Sequence, residues 1–178
     1  MQFKEFDKIY RLSRPCIVTE KIDGTNASVC ITEAGDFFFG SRTRWITPTD
    51  DNYGFARWAE GNKSELIKLG PGLHYGEWWG KGIQRNYGIS EKRFSLFNTS
   101  RWTGDAVRPA CCGVVPILKE GIFGTFSFDE IINDLKTCGS KAVPGWMKPE
   151  GLVCFHVQGN FCLKKTCEKD TEHKSQQK

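Results

Sequence analysis

Three kinds of segment are missing from this 178-residue sequence. No uninterrupted apolar run approaches the roughly 20 residues that span a bilayer. The opening stretch, MQFKEFDKIYRLSRP, is charged throughout and has no apolar core of the kind a secretory signal carries. The eight Cys, at 16, 30, 111, 112, 138, 154, 162 and 167, include no Cys-x-x-Cys pair and no Cys/His zinc spacing. These absences argue against a membrane protein and a secreted disulfide scaffold. They predict mostly reduced, partly buried cysteines in a cytoplasmic, reducing setting. The vicinal Cys111-Cys112 reads either as a redox pair or as ordinary packing. Internal repeats and a clear linker are absent too, so one domain is expected over residues 1–167. The tail 168–178, EKDTEHKSQQK, has no large apolar residue and is expected to be mobile.

What is present suits a mixed, strand-rich domain. Thirteen Phe, six Trp and four Tyr supply core volume, and nineteen Gly spread along the chain imply many turns. A net charge of +4 is compatible with a polyanionic partner without requiring one. Strands are expected at 15–20 and 26–32, forming a hairpin around Asp23-Gly24, then at "FFFGS", 73–79, 93–98, 113–121, 150–157 and 161–167. Residues 51–69 suit one interrupted helix or two short ones. "SFDEIINDLKTCG" reads as a capped helix, with Ser127 and Glu130 at its start and Gly139 as its stop. The fold class is α+β, largely antiparallel sheets with a few helices.

The stretch VTEKIDGTNASV places Lys21 two residues before Asp23-Gly24. It reads as an exposed turn, or as a lysine presented as a nucleophile, which requires loss of the ammonium proton. Four later features bear on that choice. Arg42 follows a strand in FGSRTRW, and Glu77 lies beside two tryptophans in YGEWWGKG. Glu150-Gly151 opens the strand PEGLVCF, and Lys164-Lys165 closes FCLKKT. A carboxylate beside tryptophans is costly without a partner, and paired lysines suit phosphate oxygens. Each also has an ordinary reading as a strand end, core ion pair, turn residue or edge guard.

In this order, Lys21-Ile22-Asp23-Gly24, Ser41-Arg42, Gly76-Glu77, Phe97, Glu150-Gly151 and Lys164-Lys165 resemble the motif series of the covalent nucleotidyltransferases. These include DNA ligases, RNA ligases and mRNA-capping guanylyltransferases. EKIDGTN is most similar to the RNA-ligase branch, including small phage-type relatives, and the resemblance runs from about residue 16 to 167.

The resemblance implies a nucleotidyltransferase (ATP-grasp-like ligase) adenylation domain that uses ATP and Mg²⁺ or Mn²⁺. Lys21 would attack the α-phosphate of ATP and form a lysyl-adenylate. AMP would pass to a 5′-phosphate, and a 3′-hydroxyl would then seal the strand. Glu77 would hold the ribose hydroxyls, Phe97 would stack on the adenine, and Glu150 would place the metal. Arg42 would contact the sugar or the nucleic-acid end, and Glu20 would help to read the adenine. Ile22, Asp23 and Gly24 complete the nucleotide-binding motif. Lys164, with Lys165, would neutralise the phosphate under attack. Arg44, Lys81 and Arg85, with SRW at 100–102, offer basic and aromatic groups for a strand, or simply form solvated loops.

Two departures from the pattern stand out. The family's final motif has two lysines separated by one residue, whereas here they are adjacent. The expected domain set also lacks an OB-fold. The remaining readings are a GTP-preferring capping-type enzyme and a non-catalytic nucleotide- or nucleic-acid-binding relative. The partners implied are ATP and nucleic acid with 5′-phosphate and 3′-hydroxyl ends, the chain acting as a monomer.

Overall fold

Two sheets face different helices and are joined through a short link at Ile22–Gly24. The computed structural model describes residues 2–104, 108–168 and 170, so the tail apart from Glu168 and Asp170 lies outside the described residues. The first sheet has the order β10-β9-β1-β8, formed by Phe161–Thr166, Gly151–His156, Pro15–Lys21 and Ile117–Ile122. The second has the order β4-β3-β2-β5-β6-β7, formed by Trp45–Ile46, Phe37–Gly40, Thr25–Ile31, Gly72–Gly80, Lys92–Leu96 and Cys112–Val114. Every strand pair is antiparallel except β6 with β7. The α+β reading therefore holds. No helix among the described residues is long and apolar enough to cross a membrane.

Each sheet buries one face against its own helices. On the six-stranded sheet, Ala27, Val29 and Ile31 of β2 and Phe94 and Leu96 of β6 pack against α1 (Phe55–Gly61), α2 (Lys63–Leu66) and a 3-10 turn at Ile67–Leu69. The interruption expected within 51–69 falls at Asn62, whose side-chain amide donates to the Trp58 carbonyl. On the four-stranded sheet, Cys16, Val18, Leu152 and Cys154 pack on α4 (Phe128–Cys138). Ser127 caps that helix by accepting from the Glu130 N–H, as its sequence implied. Ile132 and Leu135, three apart, are its buried residues.

A third cluster joins the sheets. Ile22, Trp79, Tyr87 and Val115 are buried together, with Ile89, Val143 and Trp146 packed against them. Two expectations fail at this junction. Asp23-Gly24 is not the turn of a hairpin, because β1 pairs with β8 and β9 while β2 pairs with β3 and β5. Residues 113–121 are not one strand either. They split at Val115-Pro116 into β7 and β8, which lie in different sheets. A proline removes a ladder donor, and the Pro116 carbonyl turns to accept from the Glu20 N–H. The SRW stretch lies in the short helix α3 (Thr99–Trp102), where Trp102 is buried in the core and unavailable to a strand.

All eight cysteines are free, with Cys16, Cys112 and Cys154 buried. Gly24 is where the link touches the six-stranded sheet most closely. A Cβ there would lie 2.5 Å from the Trp78 carbonyl oxygen and 2.7 Å from the Trp79 Cβ. Gly24→Ala is therefore expected to destabilise the fold by about 1–3 kcal/mol, as overpacking does. Urea unfolding measures this, and an unchanged midpoint would contradict the close approach.

Candidate active site

Alternation along β1 decides which side chains reach the gap between the sheets. Cys16 and Val18 turn to α4, so Ile17, Thr19 and Lys21 take the opposite face. Lys21 closes the strand, and its Nζ lies 2.6 Å from Glu150 Oε2, at the entry to β9. The Glu150 carboxylate is only 7 % exposed, and Oε2 has no hydrogen-bond partner beyond this ionic contact. A buried charge in that state depends on the lysine beside it.

Glu77 comes from the other sheet. Its Oε1 accepts from the Gly24 N–H at 3.1 Å and its Oε2 from Asn26 Nδ2 at 3.2 Å. Burial raises its carboxyl to about 7, against partial relief from the Lys21 ammonium and the Gly24 N–H. The Glu150 and Asp23 carboxylates push it further up. Glu77 thus shares an electrostatic neighbourhood with the lysine motif while bonded to its glycine.

Two further contacts hold the link. Asp23 donates its N–H to the Tyr87 hydroxyl at 2.8 Å and takes Arg85 Nε on its carboxylate at 3.0 Å. The loop 81–89 is therefore docked on the motif rather than solvated, with Ile83 and Tyr87 buried. Asn26, quoted within EKIDGTN, and Tyr87 were given no site role from the sequence. Asn26 was findable, since it is the first outward position of β2 and pairs with Glu77 in register. Tyr87, 64 residues from Asp23, carried no local signal.

The register of the final motif follows from the ladder. Residues directly opposite share a face. Lys164 pairs with Val153, which pairs with Thr19, so Lys164 takes the Lys21 face. Lys165 pairs with Leu152 on the opposite face and binds Asp129 of α4 at 3.0 Å. Two lysines one residue apart would share a face, but adjacent ones cannot. The second position on the Lys21 face is Thr166. The expectation that Lys165 joins Lys164 at the phosphate is thereby corrected.

Other expectations meet mixed outcomes. Phe97 follows β6, with its N–H on the Tyr75 carbonyl and its ring part-exposed. Arg42 is exposed and makes no hydrogen bond or ion pair with a described residue. Glu20 is buried, its oxygens accepting from Ser140 Oγ at 2.5 Å and from the Lys141 and Ala142 N–H groups at 2.8 and 2.9 Å. That carboxylate ties down the 140–142 loop. The Ile22 side chain is likewise an anchor in the third cluster, not a ligand. Arg44 spends its guanidinium on Asp50, and Arg85 on Asp23. Lys81 is exposed in its loop.

Among the described residues no group of three His, Cys, Asp or Glu could cage a metal. Glu150, with its orphaned buried oxygen, is the carboxylate that fits one. Such a site suits an ion that keeps waters and shares phosphate ligands. Two surface cavities, lined by Lys8–Arg11, Arg14 and Gln158 and by Glu91–Ser95 with Ala110–Gly113, include none of Lys21, Glu77 and Glu150.

The strained carboxylate has a measurable signature. Its folded-state value of about 7 exceeds the 4.5 of a free glutamate, so the folded state binds the proton more tightly. Stability from this group is fully present below about pH 4.5 and is lost as pH rises through 7. Glu77→Gln removes the charge and keeps an acceptor for Gly24. It should stabilise the fold by about 1–3 kcal/mol at pH 8 and by little at pH 4.5. Urea unfolding at the two pH values checks this, and a loss of stability at pH 8 would contradict it.

Comparison with known proteins agrees with this architecture. The RNA ligase family model matches residues 14–167. Among curated proteins no sequence matches the chain. A Naegleria gruberi RNA ligase mutant solved with ATP and Mn is similar at a TM-score of 0.64 and 20% identity, over 90% of this chain and 52% of that one. The same ligase solved with PPi gives 0.64 and 21%, over 92% and 52%. An apo mutant of it gives 0.62 and 21%, again over 92% and 52%. This chain thus spans about half the length of those it resembles, and the likeness is one of fold. With the family model covering both sheets and the link between them, the chain belongs to the RNA ligase family.

Proposed function

We propose that this chain is the adenylating unit of an ATP-dependent polynucleotide ligase, residues 14–167 forming its nucleotidyltransferase domain. One observation carries the reading. Lys21 and Lys164 share a face of one sheet, and Glu77 belongs to the same electrostatic neighbourhood from the other. The similar ligase was solved with ATP and Mn and with PPi, which supports the same class of ligand here.

In this reading the Lys21 Nζ–phosphorus bond forms at the α-phosphate while the bond to pyrophosphate breaks. The ammonium first gives up a proton to solvent, since only the free amine can attack. Lys164 neutralises phosphate oxygens, since phosphoryl transfer is catalysed mainly by positioning and charge. Glu77 keeps unused lone pairs for ribose hydroxyls, and Phe97 offers a ring for the adenine. Glu150 would hold a divalent ion, which supplies charge neutralisation at the phosphates when bound. Arg42, without a hydrogen bond or ion pair among the described residues, would contact the sugar of the nucleotide or the nucleic-acid end. Sealing then requires AMP transfer to a 5′-phosphate and attack by a 3′-hydroxyl.

Incubation with α-labelled ATP and Mg²⁺ or Mn²⁺ is expected to label the protein covalently, and Lys21→Ala to abolish the label. Lys164→Ala should slow labelling about 100-fold, the scale for losing one preorganised charge partner. Lys165→Ala should stay within a few-fold of the parent. Folded protein that takes no label with either metal would overturn the reading. Equal loss at 164 and 165 would overturn the assigned register.

A further inference from the structure

Beyond Phe97, the outer face of the six-stranded sheet carries a row of aromatic side chains that the adenylation chemistry does not use, Tyr75, Trp45 and Phe38. Phe97 bonds to Tyr75, Tyr75 is opposite Ser28, Ser28 is opposite Gly40, and Gly40 is opposite Trp45. All five residues therefore share one face, the face that also presents Glu77. Phe38 joins the far end, with its ring 5.9 Å from that of Trp45. Tyr75, Trp45 and Phe38 are 58 %, 57 % and 49 % exposed, which is unusual for side chains of this size. Between Tyr75 and Trp45 the floor is low. A Cβ on Gly40 would meet Ser28 Oγ at 2.4 Å, so nothing larger fits there. Three strand spacings, about 14 Å, separate the two backbone positions, and the Trp45 ring lies over Gly40, 3.4 Å from where a Cβ would stand.

We propose that this row is a stacking platform for the bases of a single-stranded nucleic-acid segment, leading outward from the nucleotide site. Sheet-borne aromatic side chains that stack successive bases are a general solution for single strands. The proposal rests on the ligase reading in one respect: Phe97, at the inner end, is where the adenine is placed. Charge points the same way. Arg42, exposed and without a partner among the described residues, stands in the turn between β3 and β4, next to the platform. A flat aromatic row with one cation at its rim suits bases and phosphates.

Fluorescence anisotropy with a 5′-fluorescein single-stranded RNA decamer tests this, using an abasic strand of equal length as control. Trp45→Ala and Tyr75→Ala are each expected to weaken RNA binding about 5- to 100-fold, the range for losing one stacking partner. Binding of the abasic strand should not change, and Trp45→Phe should retain most of the RNA affinity. Covalent labelling by ATP should be unaltered in these variants. If the parent takes no label but loses RNA affinity on Trp45→Ala, the ligase reading falls and the platform stands. The platform is overturned if the parent binds RNA no better than the abasic strand, or if the alanine variants bind RNA as well as the parent. A parent that sediments as a dimer broken by Trp45→Ala would also overturn it, since the face would then cover a second copy.

Discussion

The link from Ile22 to Gly24 must leave one sheet, enter the other, and still hold Lys21 at the gap between them. Three contacts make that possible. Ile22 is buried with Trp79 and Val115, Asp23 is clamped by Tyr87 and Arg85, and the Gly24 N–H is held by Glu77. Each contact reaches the link from an element more than 50 residues away in the chain. The Lys21 motif is therefore held by contacts from the whole fold, although it reads as a short local pattern.

Glu77 is the element under tension. A buried carboxylate bonded to two neutral donors gains less than it loses in hydration, and its proton affinity records the difference. A sequence selected for stability alone would place an amide there. Retaining an ionisable group at that cost is what a site needing a negative charge toward ribose hydroxyls would do. Lys21 and Glu150 have the complementary arrangement, a part-buried cation and a buried carboxylate that satisfy each other.

Much of the fold was legible because it depends on local signals. The alternation of β2, the Ser127 cap and the Asn62 break all act within a few residues. The hairpin reading of Asp23-Gly24 failed because turn chemistry says that a chain bends, not which sheet it joins next. The single strand expected at 113–121 failed for a related reason, with Pro116 marking a change of sheet rather than an edge. Family likeness singled out Lys21, Glu77, Glu150 and Lys164 as candidates. It could not separate Lys164 from Lys165, which only the ladder register does. Nor could it show that the Glu20 carboxylate is spent on the 140–142 loop, an arrangement spanning 120 residues.

The central claim is that the sheet junction makes Lys21 the nucleophile toward a nucleotide. The most direct measurement is peptide mapping by tandem mass spectrometry after incubation of the protein with ATP and a divalent metal. The account predicts AMP on the peptide containing Lys21 and on no other lysine. AMP on Lys164 or Lys165, or the absence of any adduct on folded protein, would contradict it.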